Sequence, residues 1–229
     1  MALNRQYTVQ VNSTQEMVYR TLRDEILMME LKPGTVITTQ DTATRLDVSR
    51  TPVREAFLRL QRENLLEISP QKATMVTLID LKRVYQEMFI RKALEIENLK
   101  EFISVATETT ILTMQLNVAQ QVDAMNEKRY EDYVELDNQF HQIAFNETEE
   151  FLGLDLVRRM NGHYDRIRLL TAWKESIALN AIEEHKRFIR YVKEKDLEKA
   201  QGLMRTHLEN LWLVERVLTD KWSDYFKKE

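Results

Sequence analysis

Asp137 and His141 stand four residues apart in the run Leu136-Asp137-Asn138-Gln139-Phe140-His141, and the other three histidines, His163, His185 and His207, follow them. On a helix, positions i and i+4 project from one face, so this carboxylate and imidazole can meet at a common point. His185 and His207 fall on the two long amphipathic stretches that come next. A carboxylate and imidazoles converging from separate helices make an N/O donor set suited to a divalent cation. The same residues also fit a plainer arrangement, a hydrogen-bonded carboxylate–imidazole pair with surface histidines, and spacing alone leaves both open. The histidines recur every 22 residues, yet their contexts (QFHQI, NGHYD, EEHKR, RTHLE) share nothing, so the regularity is not a repeat.

A second chemistry is written into Ser49-Arg50-Thr51-Pro52-Val53-Arg54-Glu55-Ala56-Phe57-Leu58-Arg59-Leu60-Gln61. Ser before a Thr-Pro step is a helix start: the hydroxyl can accept from a first-turn amide, and proline there forfeits only an amide with no helical partner. Val53, Ala56, Phe57 and Leu60 then follow the i, i+3, i+4, i+7 pattern of an amphipathic helix. Arg50 and Arg54 leave one exposed face near its positive end, where two cations oppose the helix dipole. A phosphate backbone or a guanine edge would compensate them. A solvated basic face is the plain alternative.

Composition sets the frame. The chain has 229 residues, 43% of them hydrophobic and 31% charged, enough for one large or two modest globular domains. No apolar run approaches a membrane span, and MALNRQYTVQVNSTQ has no signal-peptide core. The absence of cysteine removes disulfides, thiolate zinc sites and a cysteine nucleophile, and with the missing leader it points to the cytoplasm. There is no phosphate-cradling glycine loop and no G-x-S-x-G. Net charge is −4, but residues 1–79 carry 10 Lys+Arg against 9 Asp+Glu, and the remainder 23 against 28. Bulk charge therefore does not argue for nucleic acid; the placement of individual arginines has to.

The elements that position these residues are mostly helices. Residues 1–13 read as a polar arm. The spacing predicts a helix from Thr14 to Leu31, a break at Lys32-Pro33-Gly34, a short extended Thr35–Thr38, a helix from Thr39 to Leu46, and the Ser49 helix after a short turn. Glu67-Ile68-Ser69 and Thr74-Met75-Val76-Thr77 about Pro70–Ala73 predict a β-hairpin, so residues 14–78 form a winged helix-turn-helix. From residue 79 the pattern is amphipathic almost throughout, with six predicted helices near 80–104, 107–127, 129–147, 150–175, 178–194 and 196–220. Asp80 and Asp196 are expected as caps, and Trp222 and the charged tail as exposed. The fold class is mainly α: a winged domain with a small wing, then an all-α bundle over 79–229.

Leu31-Lys32-Pro33-Gly34, Leu46 through Ala56 with its Val-Ser-Arg-Thr-Pro-Val-Arg-Glu-Ala string, and Asn64-Leu65-Leu66-Glu67 resemble the DNA-binding domain of GntR-type bacterial regulators. The resemblance implies DNA contacts by Ser49, Arg50, Thr51 and Arg54, and by Lys72 from the wing. Gln40 stands where that family's second helix has a contacting arginine, and the wing turn reads Gln71-Lys72-Ala73 where glycine is usual. The Asp137-to-His141 run, Glu184-His185, and Arg205 with His207-Leu208 resemble the motifs of the helical FCD domain of the FadR subfamily, as does Arg91-Lys92-Ala93-Leu94-Glu95. That likeness implies Asp137, His141, His185 and His207 as ligands of a divalent metal, zinc or nickel, beneath an effector pocket. A small carboxylate effector is implied by the same analogy, with Arg91, His163, Tyr164 and Arg168 at the cavity. Asn146-Glu147-Thr148-Glu149 departs from the family's Gly-Asn.

The expectation is a ligand-responsive transcriptional regulator, a homodimeric repressor on a palindromic DNA operator, with no membrane partner and no catalytic residues. Two alternatives differ in class: a regulator with a metal-free apolar effector pocket, and a metal-dependent hydrolase using the Asp/His set to activate water. Nothing in the sequence supplies the hydrolase with a general base.

Overall fold

The computed structural model describes residues 14–69, 73–210 and 215–228. The chain divides into two compact units that meet in sequence at Thr77 and Leu78.

In the first unit, α1 (Thr14–Leu27), α2 (Thr39–Arg45) and α3 (Arg50–Arg62) enclose an apolar core. Val18, Leu22 and Ile26 of α1 meet Val53, Phe57 and Leu60 of α3 there. The first helix ends short of the expected Leu31: Met29 turns left-handed (φ 60°), and the Leu31 amide reaches back to the Glu25 carbonyl at 2.9 Å. Thr38 caps α2 by accepting from the Asp41 amide. Asp47 (φ 51°) and Asn64 (φ 59°) reverse the chain before and after α3, residue types that tolerate this backbone. The strands are β1 (Val36–Ile37), β2 (Leu66–Ile68) and β3 (Thr74–Val76), in spatial order β1-β3-β2 and antiparallel throughout. The expected hairpin is β2–β3. The extended segment after Gly34 adds a third strand to it, Val36 pairing with Met75.

The second unit is helical: α4 (Leu81–Val105), α5 (Glu108–Asn126), α6 (Tyr130–Glu147), α7 (Phe151–Met160), α8 (Gly162–Ala172), α9 (Glu175–Lys193), α10 (Leu197–Glu209) and α11 (Glu215–Lys221). Asp80 and Asp196 cap α4 and α10 through the amides of Arg83 and Lys199, and Thr107 and Thr110 form a reciprocal box at the start of α5. Helix α6 packs against α4, α5 and α8, while α9 packs against α5, α8 and α10. The helices that carry Asp137, His141, His185 and His207 therefore share one interior.

Two expectations are corrected, the helix over 150–175 and the exposed tail. The helix predicted over 150–175 is two, α7 and α8, broken at Asn161. The amides of His163 and Tyr164 donate to Glu87 Oε2, each at 2.9 Å, so a carboxylate from α4 caps a new helix where the sequence pattern runs on. Of the helix predicted over 196–220, the described residues hold α10 to Glu209 and α11 from Glu215, and residues 211–214 lie outside them. The tail is not simply exposed. Phe226 is buried and bridged to Ile79, whose amide donates to the Tyr225 carbonyl at 2.8 Å. Trp222 is half-buried, its ring 5.8 Å from that of Trp173. Among the described residues no helix is long and apolar enough to cross a membrane.

Candidate metal centre and nucleic-acid interface

Helix α6 presents Asp137 and His141 from one face, α9 presents His185, and α10 presents His207. One donor atom from each lies within 4.8 Å of the others. His185 Nε2 is 3.5 Å from Asp137 Oδ1, and His141 Nε2 is 3.9 Å from Oδ2. Phe140 stacks on the His185 ring at 4.1 Å between centroids.

Each imidazole is held from behind through Nδ1. His141 meets Glu95 Oε2 at 2.7 Å, His207 meets Glu184 Oε2 at 2.7 Å, and His185 meets Gln121 Oε1 at 3.0 Å. An acceptor behind Nδ1 places the ring proton there and leaves the Nε2 lone pair facing Asp137. Among the described residues the buried Nε2 atoms of His141 and His185 have no hydrogen-bond partner. A buried acceptor without a donor is costly unless something positive sits against it. Three Nε2 lone pairs and a carboxylate, each oriented by an outer partner, fit a divalent ion.

Electrostatics agree. Burial pushes the pKa of His141 down, against the pull of Glu95, and that of His185 further down, so both favour the neutral form a metal needs. Burial alone would raise Asp137. Arg168, paired with Asp137, and the surrounding imidazoles more than offset that and hold its carboxyl far below the usual carboxylate range.

A cavity of about 230 Å³ opens onto Asp137 and His207. Tyr164 and Arg168 line it, together with Tyr133, Thr171, Asn180 and Asn210. Arg91 is not among the lining residues. It is buried behind the centre, paired with Glu95, its guanidinium carbon 5.4 Å from the Tyr164 ring centroid. His163 is likewise elsewhere: its Nδ1 accepts from the Asp80 amide at 3.1 Å and lies 3.0 Å from an Arg166 guanidinium nitrogen. Glu87 turns α8 at this point and takes His163 to the start of α4.

In the first unit, Gln40 on α2 and Ser49, Arg50, Thr51 and Arg54 at the start of α3 are all exposed. Ser49 occupies the N-cap position, but its side chain makes no capping bond. Arg20, Arg23, Arg45 and Arg59 are each tied to a glutamate. Among the described residues Arg50 and Arg54 have no such partner, so their charge is available to an external anion. Arg59, unremarked in the sequence, fixes α3 on α1: it meets Glu16 at 2.7 Å and lies 3.4 Å over the Tyr19 ring. Lys72 lies outside the described residues.

Residues 14–76 match the model for bacterial regulatory proteins of the gntR family, and residues 87–210 match the FCD domain. The HTH-type transcriptional repressor RspR of Escherichia coli is 30% identical over 223 residues, which is 96% of this chain and 98% of RspR. The chain belongs to the GntR family, in its FCD-containing FadR branch. The Bacillus subtilis gluconate operon transcriptional repressor is 23% identical, covering 93% of this chain and 92% of its own length. Among solved structures, E. coli McbR/YncC superposes with a TM-score of 0.76 at 20% identity, over 91% of this chain and 98% of that one. A GntR regulator from Rhodococcus sp. RHA1 gives 0.71 at 18% identity, over 86% and 94%. Both share the fold. GntR-family membership makes this chain a DNA-binding transcriptional regulator and sets the hydrolase alternative aside.

Proposed function

We propose that this GntR-family protein represses transcription as a homodimer on a palindromic operator. Each subunit would set the start of α3 in a major groove, with Arg50 and Arg54 on bases or phosphates, Ser49 and Thr51 on the backbone, and Gln40 and Lys72 beside them. The unpartnered Arg50 and Arg54 support this docking face. Phe89 on α4 with Phe151, Leu152 and Leu156 on α7 form exposed apolar surface that a second copy would cover. The repressor sense follows the name of the 30% identical relative.

The helical unit would hold a divalent ion, zinc or nickel, on Asp137, His141, His185 and His207. The observation that carries this is the convergence of three back-braced imidazoles on one carboxylate, with two buried Nε2 atoms that have no hydrogen-bond partner among the described residues. When bound, the ion would supply a Lewis-acidic coordination position facing the cavity. A small carboxylic acid is the effector this reading favours: Arg168 offers it a guanidinium, and the volume of about 230 Å³ suits a short organic acid better than a long acyl chain. Arg91 acts from behind through Glu95.

Metal content of untagged protein tests the centre. About one zinc or nickel per chain is expected, lost in His185→Ala combined with His207→Ala. No metal after incubation with either ion would sink the four-ligand assignment and favour the apolar-effector alternative. Organic acids are then screened for changes in operator affinity, with a coupling of about 1–3 kcal/mol expected.

A further inference from the structure

Helix α5 contributes no ligand to the proposed centre, yet it buries two amides against it. Gln121 is fully buried, and its Oε1 is the acceptor behind His185 Nδ1 at 3.0 Å. Its Nε2 donates to Asn117 Oδ1 at 2.7 Å, and Asn117 Nδ2 donates to the Leu136 carbonyl at 3.0 Å. Leu136 immediately precedes Asp137. The relay therefore runs from the backbone beside one ligand to the ring of another.

Its direction follows from chemistry alone. A backbone carbonyl only accepts, so Asn117 must turn its NH₂ to Leu136 and its oxygen to Gln121. Gln121 must then turn its NH₂ to Asn117 and its oxygen to His185. The acceptor so presented demands a proton on His185 Nδ1. Swapping the oxygen and nitrogen of either amide would set acceptor against acceptor or donor against donor between buried side chains. The other two imidazoles have carboxylates behind them, which accept from either ring state. His185 has a neutral amide and depends on the relay for its tautomer.

We propose that Asn117 and Gln121 are positioning residues of the metal centre: they fix His185 with its proton on Nδ1, so that Nε2 is a free lone pair aimed at Asp137. The part concerning affinity rests on the metal reading above; the tautomer does not. Phe140, stacked on the His185 ring, fixes its plane, and the relay fixes its protonation. Three ligand faces are thereby ready before an ion arrives, as outer hydrogen bonds do in metal sites generally.

The test combines nitrogen-15 NMR of the histidine rings in metal-free protein with zinc affinity by chelator competition. In the native chain His185 should show a protonated Nδ1 and an unprotonated Nε2. Gln121→Leu should lose that single tautomer and bind zinc roughly 10–100-fold more weakly. Gln121→Glu keeps an acceptor behind Nδ1 and should retain the tautomer, but its second oxygen meets Asn117 Oδ1 where the native NH₂ donated, so it should lose some zinc affinity, though less than Gln121→Leu. His141, braced by Glu95, is the internal control and should be unchanged in each variant. A native His185 protonated on Nε2 overturns the proposal without any variant. So does undiminished zinc affinity in Gln121→Leu, while equal losses in both variants make Gln121 a packing residue only. Native protein that binds no zinc but carries the Nδ1 proton refutes the metal reading and leaves the tautomer assignment standing.

Discussion

Glu184 Oε2 lies 2.7 Å from His207 Nδ1, while its other oxygen accepts from Asn180 at 3.0 Å and Asn210 at 2.9 Å. One carboxylate thus braces a proposed metal ligand and ties α9 to the end of α10 at the cavity wall. Its pKa stays low although burial works to raise it, because the His207 bond and the two amides favour the charged form. Glu184→Ala should weaken zinc binding by roughly 10–100-fold, the usual effect of removing an outer partner. Glu184→Gln should weaken it less, since the amide oxygen can still accept from Nδ1–H. The check is chelator competition on both variants. Native affinity in Glu184→Ala would mean His207 does not depend on this brace.

The DNA face makes a separate prediction. Arg50 and Arg54 occupy the first and second turns of α3 without a carboxylate partner among the described residues, so replacing either removes no ion pair seen there. Arg54→Ala should leave the thermal midpoint nearly unchanged and weaken specific operator binding by about 1–3 kcal/mol. Arg59→Ala is the contrast, because Arg59 fastens α3 to α1 through Glu16 and Tyr19. It should lower stability of the first unit as well as affinity. Fluorescence anisotropy with operator DNA at fixed moderate salt, beside a melting curve, separates the two. Unchanged operator affinity in Arg54→Ala would displace α3 from the groove.

Much of this site was legible in the sequence, for a local reason. Asp137 and His141 share a helix face because four residues make about one turn, and the short motif strings around His185 and His207 carried the resemblance. What was not legible depends on contacts between distant segments. The cap that splits α7 from α8 is Glu87, 76 residues before His163. Gln121 and Asn117 sit on a helix with no ligand of its own, where a polar residue reads as solvent-facing. His163 looked like a cavity residue beside Tyr164 and Arg168, but the turn set by Glu87 directs it to Asp80. The extended Thr35–Thr38 segment was legible but its pairing with β3 was not, because two residues, Val36 and Ile37, carry too little pattern to declare a partner.

Exposed apolar surface predicts the assembly. Leu152 is 73% exposed and Phe89 66%, on neighbouring helices α7 and α4. Large apolar side chains exposed on adjacent helices offer a surface that a second copy would cover. Leu152→Glu should convert a dimer to a species near the chain mass of 27.3 kDa, measured by light scattering on a sizing column. Operator affinity should fall with it, since each half-site would then be bound alone. A variant that stays dimeric with native operator affinity would place the interface elsewhere.

Glu87 predicts a pH dependence of stability in the helical unit. Burial lifts its pKa from 4.5 to about 7, although the Tyr164 amide and Arg83 favour the charged form and oppose the shift. The folded chain thus holds this proton more tightly than the unfolded chain does. Its stabilising contribution is complete below pH 4.5 and is lost as the pH rises through about 7. A shift of that size corresponds to roughly 3 kcal/mol across the window. Glu87→Gln cannot ionise, and its side-chain oxygen can still accept from the amides of His163 and Tyr164. The stability of native protein relative to Glu87→Gln should therefore be greatest near pH 5 and decline steadily to pH 8. Urea titrations followed by tryptophan fluorescence measure this in the right place, because Trp173, Trp212 and Trp222 all belong to the second unit. Parallel curves for the two proteins between pH 5 and 8 would show that Glu87 is ionised throughout and that α8 is capped by a full negative charge.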